Sequence, residues 1–85
     1  MKLIAGSASQ PLSEKISTAL KIPIIETQTK RFPDGELYIR ILENIENEEV
    51  TIIQTTYPDE NIIELFLLLD AVKRAKAKTI TVVIP

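Results

Sequence analysis

Apolar and polar positions alternate with two different periods along this chain, and the places where the period changes divide it into elements. Lys2-Leu3-Ile4-Ala5 is a short apolar run that predicts a strand. The small residues Gly6-Ser7-Ala8-Ser9 and then Gln10 lead from it to Pro11, a residue favoured in the first turn of a helix. From Pro11 to Lys21 the residues Leu12, Ile16, Ala19 and Leu20 recur at helical spacing, with Glu14 near the start and Lys21 at the end, as the helix dipole favours. Pro23 stops this helix, and Ile24 to Phe32 reads as extended although it is polar through Glu26-Thr27-Gln28-Thr29. Leu37, Ile39 and Ile41 alternate with Glu36, Tyr38 and Arg40, the period-two pattern of a strand with one apolar face.

An acidic connection, Glu43 to Glu49, precedes the β-branched strand Val50 to Gln54 and the loop Thr55-Thr56-Tyr57-Pro58. Asp59 is then placed to cap a helix, Glu60 lies in its first turn, and Lys73, Arg74, Lys76 and Lys78 crowd its end. Its apolar residues, from Ile62 and Ile63 to Val72 and Ala75, cover more than one stripe, which predicts burial on several sides. Thr79 to Ile84 is a last β-branched run, with the composition expected of a central parallel strand. Strands that alternate with helices predict an α/β domain with a mainly parallel sheet, two helices and one short antiparallel hairpin. Ligand sites in such sheets form in the loops that follow the strands. The last strand here runs to Pro85 without such a loop, so residues 1–85 are expected to be a single incomplete domain.

Composition narrows the chemistry. With 45% apolar and 26% charged residues the chain should fold, and at 85 residues it would bury only about 60 to 65% of its unfolded surface. A net charge of −2 without a basic run argues against a nucleic-acid partner. The absence of cysteine and histidine removes disulfides, thiol chemistry, the usual structural zinc sites and every triad with an imidazole base. The opening Met1-Lys2-Leu3-Ile4-Ala5 is too short an apolar run for a signal peptide, and Leu65 to Leu69, cut by Glu64 and Asp70, falls far short of the roughly 20 residues of a membrane span. A cytoplasmic protein without a membrane partner is the expectation.

The segment Lys30-Arg31-Phe32-Pro33-Asp34-Gly35-Glu36-Leu37 carries the most specific chemistry. Pro33-Asp34-Gly35 is first a turn: proline presets φ, aspartate bonds its own backbone, and glycine accepts positive φ. Its flanks allow more. Phe32 stands in polar surroundings, and Asp34 and Glu36, two residues apart, can turn both carboxylates to its side. An aromatic plate beside two acceptors fits a purine with an exocyclic amino group. Gly6-Ser7-Ala8-Ser9 before a helix could offer free N–H groups to an anion, or be only a tight turn and a cap. Asn61, Glu64 and Asp70 read either as site residues or as capping, exposed or packing positions, and the lysines at the end of the second helix as a solvated face.

Taken in order, Gly6-Ser7-Ala8-Ser9, Arg31-Phe32-Pro33-Asp34-Gly35-Glu36, Ile52-Ile53-Gln54-Thr55-Thr56, Asn61-Ile62-Ile63-Glu64-Leu65, Asp70-Ala71-Val72-Lys73-Arg74-Ala75-Lys76-Ala77 and Thr81-Val82-Val83-Ile84-Pro85 resemble the start of the ribose-phosphate pyrophosphokinases. The resemblance implies the first half of the N-terminal phosphoribosyltransferase-like domain of an enzyme that transfers diphosphate from ATP to the C1 hydroxyl of ribose 5-phosphate with Mg2+. It further implies that Phe32, Asp34 and Glu36 contact the adenine of ATP, typically across the subunit interface of a homo-oligomer. The family's further ATP loop, its D-L-H segment, its basic loop and its ribose-phosphate loop are not in these residues, so no catalytic residue or metal ligand is expected here and the isolated chain should be inactive. The alternatives are a non-catalytic nucleotide-binding module, and a half-domain that self-associates through the helix Ile62 to Val72 and the last strand, which a charge at Leu68 should disrupt.

Overall fold

The computed structural model describes residues 1–85. Five strands and two helices follow in the order β1 (Lys2–Ala5), α1 (Gln10–Leu20), β2 (Thr27–Arg31), β3 (Leu37–Ile41), β4 (Glu49–Ile53), α2 (Glu60–Arg74) and β5 (Thr79–Val83), with a 3₁₀ turn at Ser7–Ser9. β1, β4 and β5 form a parallel sheet in the order β1-β4-β5, and β2 and β3 form a separate antiparallel hairpin. The predicted α/β architecture with one hairpin is therefore the architecture observed.

Register explains the core. Ile4, Ile52 and Val82 lie side by side across the sheet and point to one face, since partners in a ladder share a face. α2 covers that face with Leu65, Leu68 and Val72, which are buried with Ile4, Val50 and Ile52. The hairpin packs on α2 through β3, where Ile39 and Ile41 close over the same core. α1 packs on β1 and buries Ser13, whose hydroxyl donates to Ser9 O at 2.7 Å. After α1 the chain returns along the outer edge of β1: Leu3 N–H donates to Pro23 O at 2.9 Å and Ile25 N–H to Leu3 O at 2.7 Å. That edge is thereby covered.

Three expectations are corrected. β5 is an edge strand of the sheet these residues form, largely exposed, not a central one, and β4 is its one ladder partner here. α2 is buried along one stripe, Leu65, Leu68 and Val72, while Ile63 and Phe66 are 58% and 62% exposed. Asp59 stands at the N-cap position with helical φ and ψ (−52°, −33°) and makes no side-chain cap bond. The first turn is tied instead by Asn61, whose Nδ2 donates to Tyr57 O at 2.8 Å and whose N–H donates to Pro58 O at 2.9 Å. Both helices end in a left-handed residue, Lys21 (φ 56°) and Lys76 (φ 64°), followed by a bond back across the last turn, Ile22 N–H to Ser17 O at 3.1 Å and Ala77 N–H to Val72 O at 3.4 Å.

Candidate functional site

The hairpin tip is built from five residues. Gly35 N–H donates to Phe32 O and Phe32 N–H donates to Glu36 O, both at 2.8 Å, with Gly35 at φ 91°. This is a type I turn closed by a glycine bulge, and it requires the residues the sequence supplies: Pro33 at the second position, Asp34 at the third, and glycine where φ is positive. Asp34 Oδ1 accepts the Glu36 N–H at 2.9 Å, and Arg31 Nη1 donates to Gly35 O at 2.6 Å. The turn is thus cross-braced by the aspartate and the arginine.

Phe32 and Glu36 close the turn opposite one another, one step beyond the Arg31–Leu37 pair of the ladder, so their side chains leave on the same face. Phe32 is 38% exposed, and both carboxylates are exposed. The structure brings Phe32 and Glu36 together and places Asp34 at the apex, with one carboxylate oxygen committed to the turn. Two residues beyond the predicted trio share this face. Tyr38, 44% exposed, lies with its ring centroid 6.0 Å from that of Phe32 and tilted by 54°, and Lys30 Nζ stands 5.4 Å from the Phe32 centroid. Lys30 and Tyr38 are direct ladder partners. Alternation along β3 was the available signal, since it puts Tyr38 on the polar face with Glu36 and Arg40. A cleft of about 360 Å³ between the hairpin and α2 is lined by Arg31, Glu36, Leu37, Glu60, Ile63 and Leu67, together with Gly35.

A second cluster lies where ligands gather in many α/β sheets, at the carboxyl ends of β1 and β4. Here the donors are already used. Ser7 N–H donates to Glu64 Oε2 at 2.7 Å and the Ser7 hydroxyl donates to Glu64 Oε1. Ala8 N–H donates to Gln54 Oε1 at 3.3 Å, and Gln54 Nε2 donates to Asn61 O at 3.4 Å. Thr55 N–H donates to the Ser9 hydroxyl oxygen at 3.0 Å, so Ser9 ties the loop after β4 rather than capping α1. Gln54 is fully buried and Glu64 is 5% exposed. Gly6 is needed for this contact, because a Cβ there would lie 2.1 Å from Gln54 Oε1. The anion-cradle reading of Gly6 to Ser9 is corrected accordingly: Glu64 and Gln54 accept the N–H groups that an anion would need. Asp70 forms an exposed ion pair with Arg74 at 3.0 Å. No group of three or more acidic side chains comes together to hold a metal ion, and no helix is long and apolar enough to cross a membrane.

Comparison with known proteins agrees with this architecture. The family model of the N-terminal domain of ribose phosphate pyrophosphokinase matches residues 1–85. The chain is 45% identical, over an 87-residue alignment, to a ribose-phosphate pyrophosphokinase of Caulobacter vibrioides and 44% identical to one of Saccharolobus solfataricus. Each alignment takes in 100% of this chain but 28% and 30% of those relatives, so the chain spans under a third of their length. The crystal structure of phosphoribosylpyrophosphate synthetase from Mycobacterium smegmatis superposes with a TM-score of 0.92 at 26% identity, over 99% of this chain and 29% of that one. With the model matched from the first residue to the last and the fold shared, the chain belongs to the family of the N-terminal domain of ribose phosphate pyrophosphokinase.

Proposed function

We propose that the hairpin tip is one wall of an ATP-adenine site, with Phe32 as the stacking plate and Asp34 and Glu36 as acceptors for the base's amino group, in a protein that transfers diphosphate from ATP to ribose 5-phosphate. The observation that carries this reading is the exposed Phe32 ring held on the same face as the Glu36 carboxylate by a braced turn. A solvent-facing aromatic at the tip of a hairpin gains nothing for the core, whereas a purine would cover it. The reaction forms a bond between the ribose C1 oxygen and the β-phosphorus of ATP and breaks the bond to the α-phosphate oxygen, with AMP as the leaving group. Such a transfer is driven by alignment and by neutralisation of phosphate charge. The tip supplies alignment of the base and nothing for the phosphates. Mg2+ would serve the second task in the whole protein, and no group of three or more acidic side chains comes together in this chain.

The 85 residues alone therefore carry no transferase activity. An assay with ATP, Mg2+ and ribose 5-phosphate should give no AMP above background, and steady turnover refutes this. Titration with ATP should shift the Phe32 to Glu36 amide resonances, and Phe32→Ala should abolish the shifts; a chain whose tip amides never move refutes the adenine wall. A site with one wall also asks for a second copy. Ile63 and Phe66, exposed on the outer stripe of α2, favour association into a homo-oligomer, and sedimentation that gives a monomer at millimolar concentration counts against it. The lack of cysteine suits work in the cytoplasm.

A further inference from the structure

We infer that Lys30 and Tyr38 are positioning residues for the stacking plate: they fix the Phe32 ring from one side and leave its other face for the base. This rests on the adenine reading of the hairpin tip. An exposed phenylalanine beside a turn has several rotamers open to it, and only one orientation presents a face to a ligand. Here two neighbours select the orientation. Lys30, in β2, lies two residues before Phe32, which extends the ladder by one step, hence on the same face, and its Nζ sits over the ring at 5.4 Å from the centroid, within the range of a cation–π contact. Tyr38 is the ladder partner of Lys30 and meets Phe32 at 6.0 Å with the rings inclined by 54°, a tilted aromatic pair. Lys30 takes part in neither ion pair of the chain, so no carboxylate draws its ammonium group away from the ring.

A ring with a cation over one face has only the other face free. The cation also withdraws electron density from the ring, which favours an electron-rich purine on the opposite side. Lys30 thus orders the plate and tunes it without touching the base. Because Lys30 is positively charged, it could equally attract the phosphates of ATP; uncharged adenosine removes that alternative.

The test uses the full chain with adenosine and ATP as probes. NMR reads two quantities: the ring-current shift on the Lys30 side-chain methylene protons, and the dissociation constant from the Phe32 to Glu36 amides. The Lys30 methylenes should lie upfield in the wild-type chain and return to ordinary values in Phe32→Leu. Lys30→Ala should weaken adenosine binding about two- to fivefold, the range of an exposed cation–π contact. Lys30→Arg should restore it, Tyr38→Ala should weaken it, and Lys30→Ala should have no further effect in the Phe32→Leu background. Absence of the ring-current shift overturns the inference, and so does a loss in Lys30→Ala seen with ATP but not with adenosine. A wild-type chain that shows the ring-current shift but binds neither probe overturns the adenine reading and this inference with it.

Discussion

Replacing Glu64 by alanine tests whether the carboxyl end of β1 is held by a buried latch. The carboxylate accepts two hydrogen bonds from Ser7, one from its N–H at 2.7 Å and one from its hydroxyl, and it lies 57 residues away along the chain. A hydrogen bond to a charged acceptor contributes about 1.5–3 kcal/mol. Two bonds do not double that figure here, because Ser7 is exposed and its released donors can find water. Removal of a charged group from a site only 5% exposed also recovers part of its desolvation cost. The expected loss for Glu64→Ala is therefore about 1.5–3 kcal/mol. That is a sizeable share of the roughly 4–13 kcal/mol expected for a domain of this length at the usual stability per residue.

Glu64→Gln keeps a carbonyl acceptor for one of the two donors and should cost about 1 kcal/mol. Ser7→Ala removes the hydroxyl arm alone, and combined with Glu64→Ala it should cost less than the sum of the two. Urea unfolding at fixed pH should give a lower midpoint with an unchanged slope, and the Ser7 amide should lose protection from hydrogen exchange. A Glu64→Ala chain with the wild-type midpoint and an equally protected Ser7 amide would refute the latch.

Other substitutions probe the backbone and the core. Lys76→Gly should stabilise the chain by about 0.5–1 kcal/mol, since a non-glycine residue at φ 64° ends α2 where glycine would be unstrained; thermal unfolding followed by circular dichroism should show a raised midpoint. Gly6→Ala should cost about 1–3 kcal/mol, because its Cβ would lie 2.1 Å from Gln54 Oε1 and 2.8 Å from Gln54 Cβ, and an unchanged urea midpoint would contradict the close approach. Leu68→Asp should unfold the domain instead of merely dissociating copies of it, since Leu68 is 1% exposed in the core beneath the hairpin. A folded, dispersed amide spectrum for that variant would show Leu68 to be a surface residue after all.

Local patterns made the hairpin legible. Alternation in Leu37 to Ile41 and the Pro33-Asp34-Gly35 run each depend on residues a few positions apart, and both are realised as read. The place of β5 was not legible, because Thr79 to Val83 has the same β-branched composition whether one neighbour or two pair with it. Nor was the selection of one stripe on α2: Ile63 and Phe66 are as apolar as Leu65 and Leu68, and only the position of the sheet decides which are covered. At the candidate site the sequence puts Phe32, Asp34 and Glu36 around one turn, but the commitment of one Asp34 oxygen to that turn depends on the closed geometry.

The buried polar residues leave the loop after β1 without free backbone donors, which favours the hairpin over the sheet as the proposed ligand wall. The N–H groups of Ser7 and Ala8, which follow β1, are the donors with which an α/β sheet would grip a phosphate, and in this chain Glu64 and Gln54 accept them both. An anion could enter only by displacing a buried carboxylate from its two bonds to Ser7. On the hairpin, Lys30 and Tyr38 hold the Phe32 ring from one side, and the Glu36 side chain makes no hydrogen bond or ion pair within the chain. α2 links the two regions, since Glu64 latches the loop after β1 while Leu68, one turn on, lies in the core over which Ile39 and Ile41 of β3 close. A change in α2 should therefore disturb both regions together, whereas a change at Lys30 or Tyr38 should reach the hairpin tip alone.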